Sequence, residues 1–262
     1  VDDREVGRYW DENAVAWTCL ARQGYDVYRD LLNTPAFFAL LPDVRELQGL
    51  DLGCGEGHNT RLLATRGASM SAIDVSRIFI GYAQEEEIRQ PRGIRYAIAS
   101  AQNLPFPEES FDFATAFMSL MDMPEPEAAL REAWRVLRTG GFFQFSVTHP
   151  CFDTPHRKQV RDGDGNTVAL EVGGYFERDP GQIDEWLFSA APEEAKLGLR
   201  PFRIPRFRHT VAEWLNGSID AGFLVERVAE PRPDAETAAR FPVVADARVA
   251  PYYLHMRCRK HG

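Results

Sequence analysis

Cysteine is scarce in this 262-residue chain, and the four present, Cys19, Cys54, Cys151 and Cys258, form no C-x-x-C pair. That spacing excludes a zinc knuckle and a disulfide framework, so stability must come from a buried core. No apolar run reaches the roughly 18–20 residues that span a bilayer. The opening Val1-Asp-Asp-Arg-Glu5 is charged where a signal peptide needs an apolar stretch. Positive charge is also short, with 30 Lys+Arg against 39 Asp+Glu leaving −9. Such a surface repels nucleic-acid phosphates and anionic membranes. Internal repeats and low-complexity tracts are missing. The expectation is a cytoplasmic, reduced protein with no nucleic-acid or membrane partner, its oligomeric state left open.

What is present is ordinary globular usage, 44% hydrophobic and 26% charged. Trp10 to Leu41 is patterned as helix, and Pro35 is expected to divide it in two. Strands alternating with helices follow. The strands are read at Glu46–Leu52, Ala68–Ile73, Ile94–Ala99, Phe111–Phe117 and Phe142–Thr148, and the helices at His58–Arg66, Ser76–Gln90 and Pro126–Leu137. Leu130, Trp134 and Leu137 mark the buried face of the last helix, with Gly140-Gly141 as its stop. This alternation implies right-handed crossovers and a parallel α/β sheet covered on both faces, with ligands beyond the carboxyl ends of its strands. The pattern dissolves between Pro150 and Arg208, where Asp162–Asn166 reads as a hairpin turn. Thr210 and Glu213 form a capping box for a helix ending at Gly222. Phe223–Val228 and Pro251–Cys258 read as strands flanking a loop, Pro231–Val244. One domain is expected, with a helical cap (1–45), a core (46–149), an insertion (150–208), and a C-terminal helix with final strands (209–262).

Leu50-Asp-Leu-Gly-Cys-Gly-Glu-Gly57 places closely spaced glycines at a strand end, where the backbone turns sharply and a ligand can approach. A dinucleotide site favours G-x-G-x-x-G around a pyrophosphate. Here the third glycine comes one residue early, and Asp51 suits a cationic ligand better than a pyrophosphate. The segment resembles the glycine loop of the class I S-adenosylmethionine (SAM)-dependent methyltransferases of small molecules. The resemblance continues in order through Ala72-Ile-Asp-Val-Ser76, Leu104-Pro-Phe-Pro107, Ser110-Phe-Asp-Phe113 and Arg135-Val-Leu-Arg-Thr-Gly-Gly141, over residues 47–149. Thr139 stands where the family usually has proline.

The resemblance implies a seven-stranded, mostly parallel Rossmann-like sheet with its last strands antiparallel at one edge. It also implies methyl transfer from SAM to a small-molecule acceptor, releasing S-adenosylhomocysteine. Asp51, Gly53, Cys54 and Gly55 would cradle the methionine part of SAM. Asp74 would accept the ribose hydroxyls, and Val75, Ser100, Ala101 and Gln102 would surround the adenine. Phe117 and Met118 would line the sulfonium. Ser100 departs from the family's usual aspartate and weakens that contact.

On the acceptor side, His149 at a strand end is a candidate base or acceptor-orienting group, or else a histidine that holds the insertion by backbone hydrogen bonds. Asp122 is a second candidate base, or a cap for the helix near Pro124. Arg200, Arg203, Arg206, Arg208 and His209 form a local basic run that could hold an acceptor's carboxylate or phosphate, or else a solvated strand edge. Arg200 and Arg203 read as the charged edge, whereas Arg208 and His209 are placed near the cleft mouth to bind the acceptor. Tyr175 and Trp186, with Phe152, Phe176 and Phe188, are expected to form a lid over an apolar pocket, or a satellite core. Tyr9 and Trp17 are candidate cofactor contacts from the cap. No metal site is expected, because Asp162–Asn166 fails the calcium-loop signature at Thr167 and Gly173. The rival readings are an NAD(P)-dependent oxidoreductase and a non-catalytic SAM sensor.

Overall fold

A computed structural model describes residues 1–178 and 181–262. Helix α1 (Asp3–Arg22) opens on a capping box, with Asp2 accepting from the Glu5 amide and Glu5 accepting from the Asp2 amide. The helical stretch breaks at Gly24 (φ +82°), not at Pro35. Pro35 instead sits in the first turn of α2 (Thr34–Leu40), where its missing N–H costs little. A π-helical turn at Arg29–Asn33 leads into it, with the Thr34 amide bonded to the Arg29 carbonyl.

The core then alternates as its periodicity predicts: β1 (Gln48–Leu52), α3 (His58–Thr65), β2 (Ser69–Asp74), α4 (Arg77–Arg89), β3 (Arg95–Ile98), β4 (Phe111–Phe117), α5 (Pro126–Val136) and β5 (Leu137–Thr148). Two hairpins follow, β6 (His156–Arg161) with β7 (Thr167–Gly173), and β8 (Gln182–Trp186) with β9 (Phe202–Arg206). The short helix α6 (Glu193–Lys196) lies within the second. The chain ends through α7 (Val211–Asp220), β10 (Phe223–Ala229), α8 (Ala235–Arg240), a 3-10 segment at Pro242–Arg248, and β11 (Tyr253–Lys260). Thus the expected loop 231–244 holds a helix, capped by Asp234 accepting from the Thr237 amide.

Seven strands form one sheet in the order β3-β2-β1-β4-β5-β11-β10. Only β11 is reversed, pairing antiparallel with β5 on one side and β10 on the other. This narrows the expectation that the last strands together run antiparallel: β10 runs along with β5. Leu50, Leu52, Ile73, Phe143, Phe145 and Val147 are fully buried, as a sheet covered on both faces requires. On α5 the buried stripe is Pro126, Ala129, Leu130, Ala133 and Val136. Trp134 lies at its margin, donating Nε1 to the Gly222 carbonyl. Gly140-Gly141 does not end the helix. The pair makes a bulge in β5, where register jumps from Phe111 opposite Leu137 to Phe113 opposite Phe142. Among the described residues no helix is long and apolar enough to cross a membrane.

Gly49 lies mid-strand against Phe113, and a Cβ there would sit 2.3 Å from the Phe113 ring and 2.6 Å from Met70 Sδ. Gly49→Ala is therefore expected to destabilise the fold by about 1–3 kcal/mol through overpacking, measured as a lower urea midpoint.

Candidate active site

The chain leaves β1 into a loop clamped from β2. The amides of Gly53 and Cys54 both donate to the Ile73 carbonyl at 2.9 and 3.0 Å, and the Gly55 amide donates to Asp74 Oδ2 at 2.8 Å. Gly53 (φ +70°) adopts a left-handed conformation, and a Cβ there would lie 2.4 Å from Ser119 Cβ. Gly55 (φ +56°) is different, because its absent Cβ would point into open space. That space is a cavity of about 310 Å³, at the low end for ligand pockets.

Asp74 stands on its wall, its second oxygen accepting from the Ser76 amide at 2.8 Å. Burial pushes its carboxyl up to about 6, against the pull of those two amides. Of the residues singled out from sequence, Gly53, Cys54, Gly55, Val75, Ala101, Phe117, Met118, Trp17, Trp186 and Asp122 share this wall. The Cys54 thiol is held neutral by burial and by the nearby Asp74.

Other residues lie elsewhere. Asp51 is buried beneath the loop, where its oxygens accept from Thr60 Oγ1 at 2.6 Å and Thr115 Oγ1 at 2.8 Å, so it ties α3 to β4 and does not line the cavity. Ser100 and Gln102 are also off the wall. Gln102 donates its side-chain amide to Asp3, and its backbone amide to Ser100 Oγ. Tyr9 packs under the Arg203 guanidinium. Tyr175, Arg208 and His209 line a second, much smaller pocket of about 20 Å³. His149 lines neither cavity. Its Nδ1 accepts from the Cys151 amide at 3.3 Å, so Nε2 carries the proton and donates to Glu230 Oε1 at 2.8 Å. Both ring nitrogens are spent on holding the chain as it leaves β5, the backbone-holding alternative for this residue.

Several wall residues escaped the sequence reading. Arg29 comes from the π-turn, held by Asp30 at 2.7 Å and Asp26 at 3.7 Å, and Asn33 from the same turn. His58 and Asn59 open α3. Burial and the Arg29 charge pull the His58 imidazole down to about 4, leaving it neutral. Arg206 lies on the inward face of β9 with Phe202 and Ile204. Unlike the others it belongs to the arginine run 200–208 noted in the sequence, whose period-two alternation gives it an inward face. Tyr253 of β11 had no comparable signal. Asp122 is buried on the wall in the 3-10 turn Leu120–Asp122, and its Oδ1 lacks a hydrogen-bond partner among the described residues.

Residues 50–145 match the family model described as a methyltransferase domain. The chain is 30% identical over 179 residues to a ubiquinone/menaquinone biosynthesis C-methyltransferase of Xanthomonas campestris pv. campestris, covering 62% of this chain and 68% of that relative. It belongs to the class I SAM-dependent methyltransferases. SAM is accordingly its cofactor, and the chain is an enzyme of that family. It is also 31% identical over 125 residues to a malonyl-[acyl-carrier protein] O-methyltransferase of Pectobacterium atrosepticum, spanning 47% of this chain and about half (48%) of that protein. Among solved structures, a SAM-dependent methyltransferase from Mesorhizobium loti superposes with a TM-score of 0.70 at 27% identity, covering 86% of this chain and 96% of that one.

His149→Ala in this methyltransferase leaves the Cys151 amide without a partner. It is expected to lower stability by about 1–3 kcal/mol while SAM affinity stays unchanged, as read by urea denaturation and titration calorimetry.

Proposed function

We propose that the protein moves the methyl group of SAM to a small-molecule acceptor by in-line displacement, releasing S-adenosylhomocysteine. The observation that carries this reading is the pairing of Gly55, open to the cavity, with Asp74 on the adjoining wall. A glycine loop with no side chain over the cavity admits close approach of a ligand to its backbone. A buried carboxylate whose partners are two backbone amides retains lone pairs for two ribose hydroxyls, the arrangement a dinucleotide site also uses. Val75 and Ala101 supply apolar surface for the adenine, and Phe117 and Met118 flank the reacting end. Arg29 supplies positive charge for the methionine carboxylate. SAM brings an activated methyl group when bound. The protein's part is to hold the acceptor in line and to exclude water. Aligning two reactants about 3–3.5 Å apart supplies much of the acceleration. Relatives named for quinone biosynthesis and acyl-carrier-protein methylation support a small-molecule or carrier-borne acceptor.

Asp74→Ala is expected to weaken SAM binding by about 1.5–3 kcal/mol, the worth of hydrogen bonds to a charged group, without unfolding the protein. Calorimetry with SAM, and with NAD as the contrasting ligand, checks it. Heat from NAD and none from SAM would reverse the reading. The pH dependence has a definite sign. The folded carboxyl sits near 6, and the ionised form accepts both hydroxyls, so SAM affinity falls as pH drops below about 6, by up to about tenfold per unit. Asp74→Ala removes that contribution, and the wild-type and variant profiles are compared between pH 5 and 8.

A further inference from the structure

Asp122 occupies an unusual position for a carboxyl. It is 6% exposed, forms part of the cavity wall, and leaves Oδ1 with no hydrogen-bond partner among the described residues. The Arg206 guanidinium is 3.8 Å away through Nη1, too far for a direct hydrogen bond, and its Nε is held by Asp184 Oδ2 at 2.9 Å. Buried acceptors are nearly always satisfied. Oδ1 itself is shielded from solvent, so the carboxyl meets the cavity through its other atoms, and a donor on a bound molecule would compensate a charge that the protein pairs poorly.

The surroundings narrow what that donor can be. Arg206 of β9 is the cation beside Asp122, whereas Asp184 of β8 and Asp153 after β5 add negative charge. Three carboxyls around one guanidinium disfavour a carboxylate or phosphate acceptor, because like charges repel strongly in a low-dielectric site. The same part of the wall carries Met121, Met123, Trp186, Phe188 and Ile204, which favour an uncharged, flat, apolar body. A thiolate or free amine could react without help, but a hydroxyl must lose its proton to become an effective nucleophile.

Resting on the methyltransferase reading above, we propose that the acceptor is an uncharged aromatic molecule whose ring hydroxyl donates to the Asp122 carboxylate and is methylated on its hydroxyl oxygen. The oxygen lone pair forms the new bond to the methyl carbon. The carbon–sulfur bond breaks with its electron pair retained on sulfur, and the hydroxyl proton passes to Asp122. A sulfonium and a carboxylate thereby become a neutral thioether and a neutral acid, so charge is cancelled inside a site that solvates charge poorly. Burial raises the Asp122 carboxyl to about 7, with Arg206 opposing the rise and Asp153 and Asp184 adding to it, which suits a base working near neutrality.

The test uses the full chain with SAM and a matched pair of probes, 2-naphthol and 2-naphthoate. Binding to the S-adenosylhomocysteine complex is read by calorimetry, and turnover by formation of the methyl ether or ester. The naphthol is expected to bind and be methylated in preference to the carboxylate. Asp122→Asn keeps the shape of the side chain but removes the base. It is expected to lower kcat by about 10²–10⁴-fold with S-adenosylhomocysteine affinity unchanged. It also abolishes the limb of the wild-type kcat profile that climbs with pH to a plateau above about 7. Equal or faster methylation of the naphthoate overturns the proposal. So does undiminished turnover in Asp122→Asn, or failure of the naphthol to bind and react in a protein that binds S-adenosylhomocysteine. A chain that binds neither SAM nor S-adenosylhomocysteine would sink the methyltransferase reading itself, a separate and recognisable result.

Discussion

The cleft depends on a backbone constraint: the loop after β1 is held by amide hydrogen bonds to the end of β2. The β1 and β2 ladder pairs Leu52 with Ile73, and the next amides continue onto the Ile73 carbonyl and the Asp74 carboxylate. Sheet pairing is thereby extended into a segment with left-handed φ angles, which glycine tolerates at little cost. Asp51 supports the arrangement from below through Thr60 and Thr115. A buried carboxyl is costly unless its oxygens find donors, and the two hydroxyls reduce that cost while bridging α3 and β4. The loop is therefore rigid where it meets the cavity, and its open face is a property of the sheet that carries it.

Much of this was legible because the strands are short apolar runs bounded by glycine or acid, and the helices between them carry clear stripes. The glycine loop could be read from spacing alone. Side-chain direction could not. A carboxylate at a strand end can face the cleft, as Asp74 does, or turn beneath it, as Asp51 does, and the difference lies in hydroxyls 9 and 64 residues away. His149 likewise depends on Glu230, 81 positions along the chain. The hairpins after β5 were hidden for a different reason. Strands such as β6 and β7 are mostly exposed on both faces, so no alternation of polar and apolar residues announces them. Arg29 sits in a π-turn whose sequence carries no motif, and it joins the cavity only because the cap folds over it.

Electrostatically, the cavity is built around acids that water no longer stabilises. Asp26, Asp74 and Asp122 share its wall with Arg29 and Arg206, and burial raises each of the three above its ordinary range. A region furnished this way favours ligands that bring positive charge or hydrogen-bond donors. A sulfonium cofactor with a ribose diol brings both.

One distant contact joins regions that the sequence separates widely. Asn13 of α1 donates to the Arg203 carbonyl and accepts from the Arg203 amide, both at 2.9 Å, so the helix grips β9 as a neighbouring strand would. Since α1 contributes Val6, Trp10 and Trp17 to the cavity while β9 contributes Ile204 and Arg206, these two parts of its wall are mechanically one piece. A change of shape in β9 is therefore transmitted through Asn13 to the opposite wall of the same cavity.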